Sequence, residues 1–554
     1  MSDDTKEEPT KKEVAQASAG AEGRVNTKAF GIVTIAIFSS RILGLVREML
    51  LAALFAGENR KWLDCFNQAF RTPNLLRDLF AEGALSTAFV TTFSKKMQSE
   101  GDESAWQLAR KMLTLAAVFM SIISVFGVLL APFIIRLLSP GWITETPEKI
   151  EYTVRLAQIM YPFILLVSLA ALVMAMLNAK RVFGMPAVSS TFFNIGSMVV
   201  GGLVGWWIDP TFGKDALIGF AVGTLAGGLL QLLVQLPSLR KVGFKFRPDF
   251  GWKDSGVSKV LSLMWPAVLS GSAVQINVML SSIFASCLVI KDGPVTWLGQ
   301  AFRLVQLPLG LFGVAVATVT VPAMSRLATE GVTPAFRHML GRGLKLVFLM
   351  TLPAAVGLAI LAEPIISLIF QRGRYTAYDT HMAAIALQSY AWGLVFFSSI
   401  KVIQPAFYAI ERRFVPLVVS LVAVAVSATM NTITVFWLKL GHEWLALSTS
   451  VSAFVNFALL FYAMRKVAGD LDSKGLAINA GKLLVSVICM AAVCWICNAT
   501  LLAHFTEKAL VLRILFLCVT IGGAAAVYFG MNALLKNEEV AEFGTILRRK
   551  LGRK

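Results

Sequence analysis

Charge is scarce in this chain. Asp, Glu, Lys and Arg make up 15% of its 554 residues, where soluble domains carry about 25%. A chain so poor in charge has too little polar surface for an ordinary water-soluble enzyme of this length. Histidine is scarcer still: the 4 residues are His338, His381, His442 and His504, scattered near the ends of apolar runs. No histidine cluster exists for a metal site or a proton relay. Of the 6 cysteines, only Cys494 and Cys497 are closely spaced. Their CxxC lies inside an apolar run with no His or second pair nearby, so helix packing is its reading. No short apolar core with a small-residue cleavage site precedes the first hydrophobic run, so no cleaved signal peptide is expected.

What is abundant is apolar sequence. Hydrophobic residues make up 56% of the chain and mean hydropathy is +0.69. A membrane-spanning helix needs about 20 apolar residues. The expected fold class is an all-α polytopic membrane protein with about fourteen transmembrane helices, by the same length rule. The expected spans are 29–55, 62–94, 108–137, 151–179, 186–207, 215–237, 260–290, 295–327, 340–370, 380–410, 414–438, 443–464, 478–503 and 511–535. Residues 1–28 have no apolar face and read as a disordered cytoplasmic tail. Residues 240–259 interleave Arg and Lys with Phe244, Phe246, Phe250 and Trp252, and read as a basic amphipathic connector on the membrane surface. Residues 536–554 form a basic cytoplasmic tail.

The net charge of +18 points first to cytoplasmic loops, not to nucleic acid. Basic residues recur at every second break: Lys95 and Lys96, Lys180 and Arg181, Arg240 and Lys241, Arg326, Arg412 and Arg413, Arg465 and Lys466. This alternation places both termini in the cytoplasm. Gln371-Arg372-Gly373-Arg374 is the one basic exception among the intervening loops.

The chain also repeats itself. Gln68-Ala69-Phe70-Arg71 recurs as Gln300-Ala301-Phe302-Arg303, and at the same offset Leu75 meets Leu307 and Leu79-Phe80 meets Leu311-Phe312. Gln158, Ser168, Pro186 and Ser190 meet Gln388, Ser398, Pro416 and Ser420 at nearly that offset. Such a unit holds about six spans, an even number, so both copies enter the membrane in the same sense. Repeats of this kind are related by an axis along the membrane normal, with the substrate site between them. The expected lobes are residues 29–239 and 260–466. The last two spans, within 467–535, lie outside the repeat.

Several charges sit where lipid would not tolerate them. The first span carries Arg41, Arg47 and Glu48. Arg41 and Glu48 share one helix face, and Ser40 and Arg47 another. The second span carries Asp64, Arg71, Arg77, Asp78 and Glu82, with Pro73 expected to bend it, and the eighth carries Arg303 without a nearby acid on its own helix. A charge at the bilayer centre costs roughly 2.5–3.5 kcal/mol on insertion scales. These residues therefore face protein, water or a charged ligand. Structural pairing by Glu48, Asp64, Asp78 and Glu82 is the plain alternative. Arginine offers a planar fork of donors that matches phosphate oxygens. A ring of arginines suits a diphosphate and repels a cationic drug. An enzyme would need clustered carboxylates or histidines, and Asp379 is the nearest isolated candidate.

Ser40-Arg41 with Arg47-Glu48, then Pro73-Asn74-Leu75-Leu76-Arg77 and Phe80-Ala81-Glu82-Gly83-Ala84, resemble the signature of the MurJ (MviN) family. These are lipid II flippases of bacterial peptidoglycan synthesis, within the MOP exporter superfamily. The resemblance runs from about residue 29 to 535. It implies fourteen helices in two lobes around a cationic cavity, with residues 467–535 forming a groove for the lipid tail. It implies that Arg41, Arg47, Arg77 and Arg303 contact the diphosphate, joined by Ser40, Asn74 and Arg71. Glu48, Asp64 and Glu82 would brace the cavity or its gate. Gln306 replaces an acid that some relatives carry, and the seventh span has only Gln275 and Asn277, so no sodium site is expected. No cofactor or metal is implied, and the membrane potential or an ion gradient is the expected drive. The implied partner is lipid II, an undecaprenyl-diphosphate-linked disaccharide-peptide, handled by a monomer in the bacterial inner membrane. The alternative is a flippase for another prenyl-diphosphate oligosaccharide, or another MOP-type exporter.

Overall fold

A computed structural model describes residues 27–78, 85–329, 331–471, 473–502, 509–537 and 539–540. The expected N-terminal tail, most of the C-terminal tail and Glu82 lie outside the described residues. All regular structure among the described residues is helical. In chain order the principal helices are α1 (Thr27–Phe55), α2 (Arg60–Leu76), α3 (Ser86–Glu100), α4 (Asp102–Leu138), α5 (Pro147–Met160), α6 (Phe163–Ala179), α7 (Gly184–Ile208) and α8 (Ala216–Leu233). After the connector come α9 (Ser255–Ser286), α10 (Pro294–Pro308), α11 (Ala315–Ala328), α12 (Pro334–Ile360), α13 (Ala362–Phe370), α14 (Ala377–Ala391) and α15 (Leu394–Ala409). The last four are α16 (Phe414–Thr432), α17 (His442–Ala468), α18 (Ser473–Ala499) and α19 (Leu510–Leu534).

Among the described residues, ten helices or unbroken helix pairs are long and apolar enough to cross a membrane, and α14 with α15, bent by 42°, makes an eleventh. The chain is thus an all-α multi-pass membrane protein. Outside that count stand α1, the α2–α3 pair and α9. Of these, α1 and α2 hold the charged residues noted above.

The helices of the first half pack mainly on one another: α7 on α8, α1 on α7, α2 on α5, α4 on α5 and α6. Small residues make the closest of these contacts possible. A Cβ on Gly219 of α8 would stand 2.2 Å from the backbone nitrogen of Gly205 on α7. Close backbone approach of this kind replaces the hydrophobic drive that lipid removes. In the second half α10 packs on α14, α12 on α15, and α16 on α17. The halves meet where α9 touches α3 and α4, and where α10 touches α2. The pair α18–α19 packs together, with α18 and α19 also touching α12 and α13.

The sequence repeat returns in the backbone. Left-handed residues come in matched pairs: Gly101 and Gly331 at φ 86° and 86°, Arg181 and Glu411 at 60° and 60°, Phe212 and Lys439 at 52° and 49°, Gly243 and Gly469 at 92° and 84°. Helix breaks match too. The interruption at Tyr161-Pro162 between α5 and α6 recurs at Trp392-Gly393 between α14 and α15. Helix α2 loosens into a π turn at Arg77-Asp78, and α10 loosens likewise over Leu309–Val314. Glycine accounts for only some of these positions, so the recurrence reflects two copies of one chain path.

The connector is largely non-helical. Helix ends at Lys241, residues 244–251 form no regular structure, and α9 starts at Ser255. Gly243 at φ 92° reverses the chain and returns Phe244 to pack on Trp106, ring centroids 5.3 Å apart. Phe246 and Phe250 stay exposed. Asp254 caps α9 by accepting from the Gly256 amide at 2.7 Å. It also accepts from Lys111 at 2.8 Å. That ammonium hydrogen bond, before the amide bond and the nearby Lys96, holds the Asp254 carboxyl below its ordinary range.

Candidate functional site: a cationic cavity clasped at one end

The cavity grows out of the helical spacing of α2. Asn67, Arg71, Asn74 and Asp78 fall on one stripe three to four residues apart. The other side, with Leu63, Phe66, Ala69 and Pro73, is buried in the protein. The polar stripe thus faces a cavity of about 700 Å³ between the two halves. Arg47, Arg71, Arg77 and Arg303 line it together with Asn74 and Glu48. Six of the expected site residues are therefore brought to one place from α1, α2 and α10.

Arg303 has no acid on its own helix, but it meets one from the first half. Glu48 of α1 lies 3.0 Å from Arg303 Nη1 and 3.2 Å from Arg47 Nη2. The partner was hidden because it sits in the other half of the chain. Arg303 also donates to the Gly44 carbonyl at 3.3 Å. Arg47 is nearly buried, with its guanidinium 5.8 Å from the Phe70 ring and 5.3 Å from the Phe193 ring. Its Nε has no hydrogen-bond partner among the described residues. Arg71 donates to Ser282 of α9, and Arg77 pairs with Asp78 at 2.9 Å.

The second half adds a residue that sequence reasoning missed. Lys401 of α15 lines the cavity, with Gln404 one turn on and Asn456 of α17 opposite. The signal was available: Lys401 is a lone lysine inside an apolar span, and such residues are functional by default. Among the described lining residues, the cations Arg47, Arg71, Arg77, Arg303 and Lys401 outnumber the carboxylates Glu48 and Asp78. Positive charge is left over, and the space beside it can hold an anion.

Ser40 and Arg41 do not line the cavity. The Ser40 carbonyl accepts from Asn194 at 3.1 Å, tying α1 to α7. Arg41 lies against Gly310, where an added Cβ would stand 2.4 Å from its Nη1. It lies seven residues before Glu48, about 10 Å along the helix axis.

Asp64 sits seven residues before Arg71, about 10 Å along the helix. It is fully buried. Its carboxylate accepts from the Gly293 amide at 2.6 Å, the Thr296 amide at 2.9 Å and the Thr296 hydroxyl at 2.7 Å. An acid from the first half thus caps the N-terminus of α10 in the second, where the helix dipole favours negative charge. Lys149 lies 3.7 Å behind it, donating to the Lys291 carbonyl at 2.7 Å and to Asp292 at 3.1 Å.

The basic exception among the loops belongs to the same clasp. Arg374 donates its amide to the Ala53 carbonyl at 2.8 Å and its guanidinium to the carbonyls of Leu54, Phe212 and Thr211. Its guanidinium thus ties this loop to the end of α1 and to the turn between α7 and α8. Gly373 holds φ 59°, and a Cβ there would stand 2.4 Å from the Ala53 carbonyl oxygen. Gly373→Ala is expected to lower the thermal midpoint of the detergent-solubilised protein by a strain of about 1–3 kcal/mol. Gly101→Ala is the control, since Gly101 has φ 86° but nothing within 4 Å of its Cβ. Equal shifts in the two variants would remove the collision from the argument.

Asp379, the isolated carboxylate, forms a capping box with Thr376 at the start of α14. It also accepts from Trp297 Nε1 at 3.1 Å and lies 3.5 Å from Arg60. Its oxygens are thus committed to holding helix ends together.

An all-helical membrane fold in two repeated halves, with a charged cavity between them, is the architecture of a transporter, and the fold is shared with solved transporters of the MOP superfamily. A solved multidrug-resistance MATE transporter of that superfamily, in an inward-facing conformation, superposes with a TM-score of 0.65 at 15% identity, covering 78% of this chain and 96% of that one. The family model "Lipid II flippase MurJ" matches residues 51–517, and the chain belongs to that family. It is 36% identical to the probable lipid II flippase MurJ of Vibrio cholerae, over 78% of this chain and 81% of that protein. It is 32% identical to the one from Rhizobium meliloti, over 91% and 93%. A solved structure titled as lipid II flippase MurJ in an inward closed conformation superposes with a TM-score of 0.69 at 23% identity, covering 90% of this chain and 98% of that one.

Proposed function

We infer that the chain moves lipid II from the cytoplasmic to the outer leaflet of the bacterial inner membrane by alternating access. The observation that carries this reading is the cavity itself: Arg47, Arg71, Arg77, Arg303 and Lys401 converge from both halves and, among the described lining residues, outnumber the carboxylates Glu48 and Asp78. Arginine forks fit the two phosphates of a diphosphate. The remaining polar wall, Gln404 and Asn456 with Lys401, fits the sugar-peptide part. Residues 29–239 and 260–466 act as the two lobes, linked by the connector at 240–259. Helices α18 and α19, in residues 467–535, carry the lipid tail. Both termini are cytoplasmic, which puts the Asp64 and Arg374 clasp on the outer side. A substrate anion that draws the cavity arginines together favours the closed cavity, and lobe rocking then exchanges the open side. The protein works as a monomer without a cofactor. Charge moved across the membrane couples to its potential at about 2.3 kcal/mol per charge per 100 mV.

The test is transbilayer exposure of lipid II in cells depleted of their own flippase and supplied with this chain. Outward exposure is expected to return. Lys401→Gln at equal membrane level is expected to cut the rate roughly tenfold, the loss of one charge-assisted hydrogen bond. A well-inserted chain that leaves lipid II inside would move the assignment to another prenyl-diphosphate oligosaccharide, whose diphosphate would meet the same arginines.

A further inference from the structure

We propose that a second cavity, sharing no residue with the first, holds the acyl chain of an anionic glycerophospholipid drawn from the leaflet beside the connector. The cavity has a volume of about 610 Å³. Its walls are hydrocarbon: Leu113 and Ala117 of α4, Leu169 and Val173 of α6, Leu232 at the end of α8 and Leu236 just beyond it. Two cations, Arg240 and Lys245, also line it. Both are exposed, and neither meets an acid among the described residues. An apolar interior beside two unmatched cations complements one kind of bilayer molecule, with an apolar tail and a negative head.

The cavity is built, not a loose gap. Its remaining wall is the connector, with Phe244 buried and Phe246 exposed. Phe244 is fixed by Trp106, and the chain beyond it is pinned where the Asp249 amide donates to the Thr114 hydroxyl at 3.1 Å and Asp254 meets Lys111 at 2.8 Å. The ends of α6 and α8 and the beginning of α4 all lie at the connector side of the membrane. That is the side the charge alternation assigns to the cytoplasm, whose leaflet is rich in anionic lipid. The lipid tail of the transported substrate is a poorer occupant. The α18–α19 pair proposed to carry it packs on α12 and α13, in the other half of the molecule.

The site can be mapped with the full chain in vesicles containing a phosphatidylglycerol that bears a photoreactive group near one chain end. Crosslinks are expected on residues 113–117, 169–173 and 232–239. Unlabelled phosphatidylglycerol is expected to compete roughly 25-fold better than phosphatidylcholine of the same chains, because each of the two cations near an anionic surface is worth about a fivefold preference. The pair Arg240→Gln/Lys245→Gln is expected to keep the crosslink but lose the preference. Ala117→Phe fills the slot and is expected to lose the crosslink, with Ala117→Leu as the milder variant should the first fold poorly. Equal competition by the two lipids overturns the proposal. So does a crosslink that survives in both well-folded Ala117 variants, or one found only on α18 and α19. Stronger competition by a prenyl diphosphate than by phosphatidylglycerol would also overturn it, making the cavity a substrate-tail site.

Discussion

Replacing Asp64 with alanine is expected to open the outer end of the protein and stop transport. The carboxylate accepts three hydrogen bonds at the start of α10 while fully buried. Alanine leaves the Gly293 and Thr296 amides without an acceptor and Lys149 with Asp292 as its only carboxylate partner. Breaking a buried charged contact by removing one partner costs about 3–5 kcal/mol. In an equilibrium between closed and open outer ends, that loss falls on the closed state alone. A shift of this size changes the ratio by roughly two to three orders of magnitude, at tenfold per 1.4 kcal/mol. Asp64→Asn keeps one oxygen acceptor and is expected to fall between. The measurement is a distance distribution between spin labels at the exposed positions Glu58 and Val289, on either side of the clasp. An unchanged distribution in Asp64→Ala, at normal membrane level, would remove Asp64 from the gate.

Much of this was legible in the chain because lipid punishes exceptions. Apolar runs marked the helices, and each charge inside a run asked for a reason. Arg47, Arg71, Arg77, Arg303 and Glu48 were singled out on that ground and meet in one cavity. Lys401, a lone lysine in an apolar span, satisfies the same rule. The repeat was visible as a weak match around Gln68 and Gln300, and the backbone carries it further, in left-handed turns at Arg181 and Glu411 that no residue type announces. What could not be read was the meeting of distant parts. Helix geometry put Arg41 and Glu48 on one face, but not at one depth, and Arg41 lies against Gly310 outside the cavity. The Glu48–Arg303 pair joins α1 to α10 and exists only once the halves dock. The connector is amphipathic by composition, and Gly243 turns it back so that Phe244 fills a groove beside Trp106.

The Arg303–Glu48 contact makes the second large expectation sharp. Arg303→Ala is expected to abolish lipid II exposure at normal membrane level. Two charge-assisted hydrogen bonds to a diphosphate contribute about 3–4 kcal/mol, which is a loss of roughly two to three orders of magnitude. Arg303→Lys keeps the charge without the fork and is expected to retain roughly a tenth of the rate, since one of the two bonds survives. The same alanine variant would also fail if Arg303 only neutralised Glu48, because a partly buried acid would lose its nearest cation from the second half. The double variant Glu48→Gln/Arg303→Ala separates the two roles, because the glutamine oxygen still accepts from the nearly buried Arg47. Removing both charges of a pair together leaves neither without its counter-charge, so the fold is expected to persist. If pairing were the whole role of Arg303, the double variant would recover transport that the single variant lost. If Arg303 holds substrate, the double variant stays inactive, since Arg47, Arg71 and Arg77 all lie on the first half and only Lys401 would remain as a cation on the second. A cavity whose charge comes from one wall can bind an anion, but the anion then gives the far half little reason to close. The inactive double variant is the expected result, and recovery in it would reassign Arg303 from ligand to brace.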